Sequence, residues 1–313
     1  MKYIAQIREG ERISDIYLCK VKNVAKTKAG KTYYSLMLQD KTGTIDAKVW
    51  DLSAGIDHFE SMDYIKIDAD VTSFQGALQL NVKRVRRASE GEYVPSDYLP
   101  TSSKDVKVMY SELVSIIDSV KNEYLNKLLK SFFVEDKEFV NKFCSHSAAK
   151  SIHHGFVGGL LEHTLSVAKI CNYMSSYYTA INRDLLITAA LFHDMGKINE
   201  LSGFPENDYT DDGQLLGHII IGVEMVGAHI RDISGFPPTL ASQLKHCILA
   251  HHGEYEYGSP KKPAIIEALA LNLADNTDAK LQTMTELLYD SDPMAQWLGY
   301  NRLFDSNIRR TEK

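Results

Sequence analysis

The segment LLITAALFHDMGK, residues 185–197, decides how the C-terminal part of this chain is read. Leu185–Phe192 carry no charge, and His193, Asp194, Gly196 and Lys197 follow at once. The spacing predicts a helix over about 183–195 that is apolar on every side, and such a helix belongs inside a core. A carboxylate and an imidazole at the end of a core helix are costly to bury unless they are paired or hold a cation. Gly196 is placed just past the helix end.

Outward from this segment, helical spacing continues in both directions. Leu113, Ile116, Ile117 and Val120 repeat at helical intervals, as do Leu125, Leu128, Leu129 and Phe132. Further helices are predicted at about 159–178, 214–232, 238–252 and 262–281. The chain has 11 histidines, and all but His58 fall between His146 and His252. His163, His218 and the pair His251-His252 sit on or at the ends of predicted helices, and Asp275 lies inside the apolar run LALNLADNTDA. Imidazole and carboxylate without thiolate suit Mn, Fe, Co, Ni or Zn as a bound ion. His58, His146, His229 and His246 fit no such pattern and are read as structural. The predicted C-terminal architecture is all-α, and residues 286–313 read as a polar tail.

The N-terminal part reads differently. Five strands are predicted, at Ile16–Val24, Tyr33–Leu38, Thr44–Trp50, Tyr64–Val71 and Leu78–Val85, with a helical turn or two near 52–62. Ile45, Ala47 and Val49 alternate, as do Ile65, Ile67, Ala69 and Val71, then Leu78, Leu80 and Val82. Five short strands with a small helix after the third suit a closed Greek-key barrel of OB type, with an open sheet or SH3-like barrel as the alternative. Residues 1–87 are therefore an all-β OB-fold domain, 88–105 (ASEGEYVPSDYLPTSSKD) a Pro- and Ser-rich linker, and 106–313 an all-α domain with its core at about 150–285.

Composition excludes other classes. Hydrophobic residues at 44% and charged residues at 24% are ordinary for a globular chain. The four scattered cysteines form no CxxC, which disfavours a zinc ribbon and a disulfide framework. The start MKYIAQIREGERISD has no apolar signal-peptide region, and no apolar run reaches the ~20 residues of a membrane helix. A cytoplasmic protein with no membrane partner is expected. The net charge of -6 hides a split: residues 1–87 hold 15 Lys+Arg against 11 Asp+Glu, while the rest is acidic. A basic barrel suits a polyanion.

The series His163, His193-Asp194 and Asp275 resembles the H…HD…D signature of the HD metal-dependent phosphohydrolase superfamily. HDMGK resembles the HDxGK form of its two-metal branches. A barrel, a linker and then an HD domain carrying GGLLEHTLSV together resemble the YhaM-type 3′-to-5′ exoribonucleases, over about residues 13–290. That resemblance implies that His163, His193, Asp194 and Asp275 hold one ion. Asp194 bridges to a second, completed by His218 and by His251, His252 or both. It also implies Mn²⁺ as the cofactor, two ions per site; ligand chemistry permits Co²⁺, Fe²⁺ or Ni²⁺ as well. The stretch HHGEYEYGSPKKP departs from the HHExxDGxGYP form of the cyclic-di-GMP phosphodiesterase branch, lacking its Asp-Gly and Tyr-Pro.

The implied activity is 3′-to-5′ hydrolysis of single-stranded RNA, with single-stranded DNA as a second substrate, releasing nucleoside 5′-monophosphates. Asp194 is catalytic through the ions, Lys197 through a charge offered to the phosphate, and His154 (with His153) through contact with substrate or protonation of the leaving 3′ oxygen. Glu162 reads as a support for His163. On the barrel, Tyr33, Lys48 and Trp50 lie on the outward face of strands 2 and 3. Phe74 lies in the loop between strands 4 and 5, and Lys83 and Arg84 at the barrel exit. Aromatics there stack bases, ~1–3 kcal/mol each, while lysines follow phosphates. The alternative is an HD-type phosphohydrolase of a small nucleotide or cyclic dinucleotide, with the barrel as regulatory or oligomer module. Apolar helices in 106–150 are candidates for a homo-oligomer contact.

Overall fold

The computed structural model describes residues 1–53, 55–99, 101–102, 104–150 and 155–311. His153 and His154 lie outside the described residues. Two compact units result, Met1–Thr101 with Phe204–Glu206, and Ser102–Gly203 with Asn207–Lys313.

The first unit is a closed five-stranded barrel in the order β1-β2-β3-β5-β4, with β1 Arg12–Lys26, β2 Thr32–Asp40, β3 Gly43–Val49, β4 Tyr64–Phe74 and β5 Ala77–Arg87. β3 and β5 run parallel and the other neighbours antiparallel. One strand, β1, serves both edges: residues 12–18 pair with β4, residues 18–26 with β2, and a bulge between Cys19 and Val21 bends it. This is the OB-type topology, and it abolishes free sheet edges. The expected alternation holds on β3 and β4, whose Ile45, Ala47, Val49, Ile65, Ile67, Ala69 and Val71 all face the core.

Strand β5 breaks its period. Val82 and Val85 are both buried because the ladder shifts between Asp68 and Ala69 of β4, and Lys83 and Arg84 are both left outside. Phe74 closes β4 opposite Ala77, next to a two-residue turn, rather than lying in a loop. Gln75 and Gly76 both take positive φ there, at 51° and 83°, the hand that matches strand twist.

Two further expectations about this unit are corrected. No helix forms between β3 and β4 among the described residues. The segment instead bridges Ile56 to Val85 and buries Phe59, which is 1% exposed, in the barrel core. Nor is 88–99 a free linker. Tyr93 stacks on Tyr64, Lys41 pairs with Asp97, and Gln39 donates to the Tyr98 carbonyl, so aromatic rings the composition made look sparse strap this stretch to the barrel.

The second unit is helical: α1 Val106–Asp118, α2 Glu123–Lys130, α3 Lys137–Ser145, α4 Gly159–Tyr177, α5 Arg183–Phe192, α6 Lys197–Glu200, α7 Asp211–Leu215, α8 Gly217–Asp232, α9 Pro238–Leu249 and α10 Ile266–Asp290. Asp105, Asn122, Asp136 and Asn182 cap α1, α2, α3 and α5 by accepting backbone N–H bonds. In α5 every residue from Leu185 to Phe192 is buried, so its C-terminal end delivers His193 and Asp194 into the core. The C-terminal stretch is not a tail. α10 runs to Asp290 and is followed by a hairpin, β6 Trp297–Asn301 and β7 Ser306–Arg309, pinned by buried Ile308. No helix among the described residues is long and apolar enough to cross a membrane.

Candidate metal centre

Five helices converge on one point. α4 brings His163, the end of α5 His193 and Asp194, the start of α8 His218, the residues after α9 His251 and His252, and the middle of α10 Asp275. The ligand atoms form two groups, His163–His193–Asp275 and His218–His251–His252, each within 4.8 Å. Asp194 stands between them. Its Oδ2 is 3.4 Å from the Nε2 of both His163 and His193, while Oδ1 is 3.3 Å from His218 Nε2 and 3.6 Å from His251 Nε2.

The imidazoles all present the same nitrogen. Nδ1 of His193 donates to Ala190 O (2.8 Å), Nδ1 of His251 to Ile248 O (2.7 Å) and Nδ1 of His252 to Tyr257 O (2.8 Å). Nδ1 of His163 meets Asp278 (2.7 Å), and Nδ1 of His218 meets Glu200 (2.9 Å). Because carbonyls and carboxylates accept, each Nδ1 carries a proton and Nε2 is the nitrogen that faces inward, the arrangement that outer carboxylates and carbonyls impose on metal-binding histidines. Asp194 Oδ1, His218 Nε2 and His251 Nε2 are buried with no hydrogen-bond partner. Orphaned acceptors of that kind are costly, and a divalent cation satisfies them. The donor set therefore fits metal.

Electrostatics point the same way. Burial opposes a charge on His163, but Asp194, Asp275 and Asp278 override it and hold its pKa well above the ordinary value. Its Nε2 lies 3.2 Å from that of His193, a separation that requires a proton or a cation between two nitrogens. Burial works against the Asp194 charge, yet Lys197 and His193 hold its carboxyl well below the usual range. Asp275 is likewise lowered: burial raises it, and His163 and His193 outweigh burial. For His251 and His252 burial dominates and lowers the pKa, which favours the neutral, ligating ring.

Close backbone approach makes the site possible. A Cβ on Gly196 would lie 2.1 Å from the His218 carbonyl oxygen, and one on Gly253 (φ 81°) would lie 2.6 Å from the Asn272 amide. Only glycine lets the His-Asp turn sit against the start of α8, or the chain after His252 pass α10.

The seven expected ligands thus come together, both His251 and His252 included. Lys197 Nζ sits 2.7 Å from Asp194 Oδ2 and lines the cleft above the ligands. Glu162 accepts from Ser102 (2.5 Å) and pairs with Lys104 (2.8 Å). His163 is supported instead by Asp278, one turn beyond Asp275, and His218 by Glu200. Sequence reasoning missed both, although Asp278 shares a helical face with Asp275 at i+3. On the barrel, Tyr33 and Trp50 stack with centroids 4.5 Å apart, and Trp50 and Phe74 remain exposed. Lys48 is already engaged, 2.7 Å from Ser35 Oγ and 2.8 Å from Asp46, because the neighbouring strand positions supply its partners. Lys83 lies 3.8 Å from Asp70, and Arg84 is exposed. His229 stacks on Phe132 and His246 accepts from Ala264 N–H, both structural positions.

Fold and site together define an HD-domain hydrolase carrying an OB-type barrel, and the HD domain family matches residues 160–280. The chain is 35% identical over 298 residues to the 3′-5′ exoribonuclease YhaM of Geobacillus sp. (strain WCH70), covering 93% of this chain and 90% of that protein. It belongs to that family of 3′-5′ exoribonucleases and is a hydrolytic exonuclease. Solved structures similar to part of it include a replication protein A heterotrimer bound to ssDNA (18% identity, 27% of this chain, 62% of that chain, TM-score 0.21). Another is the second OB-fold domain of replication protein A from Methanococcus maripaludis (21%, 29%, 98%, TM-score 0.22).

Proposed function

We propose that the chain removes nucleotides one at a time from the 3′ end of single-stranded RNA, with single-stranded DNA as a second substrate, releasing nucleoside 5′-monophosphates. The observation that carries this reading is the shared carboxylate: Asp194 offers one oxygen to each of two histidine-rich groups, the layout of a two-ion site. Divalent cations held there, Mn²⁺ first among them, would supply a nucleophile from water at neutral pH and neutralise phosphate charge.

The chain's own residues do the rest. His163, His193 and Asp275 hold one position and His218, His251 and His252 the other, each imidazole locked by its Nδ1 bond. Lys197 adds fixed positive charge where the phosphate approaches. Water adds to phosphorus, and the bond from phosphorus to the 3′ oxygen of the penultimate nucleotide breaks. The terminal nucleotide leaves with phosphate on its 5′ oxygen. The penultimate 3′ oxygen takes a proton, and His154 is a candidate donor by sequence position. The barrel holds the upstream strand, with Tyr33, Trp50 and Phe74 stacking bases and Arg84 and Lys83 meeting phosphates.

The test is a 5′-labelled single-stranded RNA incubated with Mn²⁺ and resolved on a gel, beside the same DNA sequence. A ladder shortening from the 3′ end, with 5′-monophosphates released, is expected. An intact oligomer alongside a hydrolysed cyclic dinucleotide would overturn the reading in favour of a small-nucleotide phosphohydrolase.

A further inference from the structure

The metal cleft, about 680 Å³, is lined by ligands and by residues that the chemistry above leaves unused, among them Tyr257 and Leu303. A volume of that size takes a nucleotide-sized group. Tyr257 is 72% exposed and Leu303 58% exposed, an unusual use of apolar surface beside a buried ionic centre. Neither is loosely placed. The Tyr257 carbonyl accepts the Nδ1–H of His252, so the short helix Tyr255–Tyr257 is tied to a ligand. Leu303 lies in the turn of the β6–β7 hairpin, which is anchored by Ile308 and by Arg310 donating to the carbonyl of Ser291 (3.2 Å). The same hairpin exposes Trp297 and Tyr300 and sets the Arg309 guanidinium 5.8 Å over the Trp297 ring, so it also carries aromatic and cationic surface. Aromatic faces with neighbouring cations are the surface single-stranded nucleic acid selects.

We infer that Tyr257 and Leu303 form a base clamp, in which the 3′-terminal base of single-stranded RNA stacks on the Tyr257 ring and packs against Leu303 beside the metal ligands. This rests on the exonuclease reading above. Stacking on a π-face and contact with an aliphatic side chain accept every base, so the clamp is sequence-tolerant. It requires an unpaired terminal base, so a duplex end does not enter.

The test uses the full chain in two measurements. In steady-state trimming of 5′-labelled RNA with Mn²⁺, Tyr257→Ala raises KM about tenfold, which corresponds to ~1.4 kcal/mol, and leaves kcat nearly unchanged, the pattern of lost uniform binding. Tyr257→Phe restores KM, and Leu303→Ala raises it severalfold. Metal content stays at the wild-type level, since the backbone carbonyl that holds His252 remains. In the second measurement, RNA with 2-aminopurine at its 3′ end is bound to the Asp194→Asn chain. The terminal fluorophore is quenched there, and the quench is lost when Tyr257→Ala is added. An unchanged KM and an unchanged quench in the Tyr257→Ala chains overturn the clamp while leaving the exonuclease reading intact. A Tyr257-dependent quench in a protein whose wild type trims no RNA does the reverse.

Discussion

Replacing Asp278 by Asn removes one negative charge from behind His163 and leaves all seven ligands in place. The carboxylate is 7% exposed, lies 2.7 Å from His163 Nδ1, and also accepts from Ser166 Oγ. A buried, charge-assisted bond of this length contributes about 1.5–3 kcal/mol. Its loss acts on ligand basicity and on the tautomer, because an amide can turn its NH₂ toward Nδ1 and drive the proton to Nε2. Changes of this kind at metal-bound histidines cost about 10–100-fold in affinity, or ~1.4–2.7 kcal/mol. Because His163 belongs to only one of the two groups, only one ion should weaken. Calorimetric titration of Mn²⁺ into metal-free protein should give two sites in the wild type. Asp278→Asn should weaken the site that contains His163 and spare the other. Glu200→Gln, which acts on His218, should give the converse. If both sites shift together in each variant, or neither moves, the carboxylates are not serving separate ions and the reasoning fails.

Four further outcomes are expected. Trp50→Ala, which removes the stack with Tyr33, should weaken binding of a long single-stranded RNA by ~1–3 kcal/mol in fluorescence anisotropy, with turnover of a short substrate unchanged. Phe59→Ala should destabilise the barrel by about 3–5 kcal/mol in urea unfolding, since Phe59 fills the core where a helix was expected. Gly196→Ala should abolish metal binding in a chain that still shows native helix content, because its Cβ would press on the His218 carbonyl. Burial lowers the pKa of His146, so the folded state binds fewer protons there than the unfolded state once pH falls below the ordinary value of about 6.5. Stability should therefore fall as pH drops through that range, and His146→Gln should flatten this part of a Tm-versus-pH curve; an identical slope in both proteins would remove His146 as the cause.

Period and motif made some of this molecule legible in advance. Ile45, Ala47 and Val49 alternate because one face of β3 is core, and the histidines and aspartates stand out because they interrupt or end apolar helices, where burying them calls for a partner or a cation. Less local features stayed hidden. The β5 bulge depends on pairing with β4, which no single-strand pattern contains. The 88–99 strap relies on Tyr93 and Tyr98 meeting partners far away in sequence. Asp278 and Glu200 look like ordinary surface carboxylates until the fold places them behind His163 and His218. The C-terminal hairpin is exposed along most of β6 and so lacks a strand's usual half-buried alternation.

The shared carboxylate is tested most directly by anomalous diffraction from crystals of the full chain soaked in Mn²⁺. The expected map has two peaks flanking Asp194, one within coordination distance of His163, His193 and Asp275 and the other of His218, His251 and His252. A single peak at full occupancy, or ions bound away from Asp194, would contradict the account.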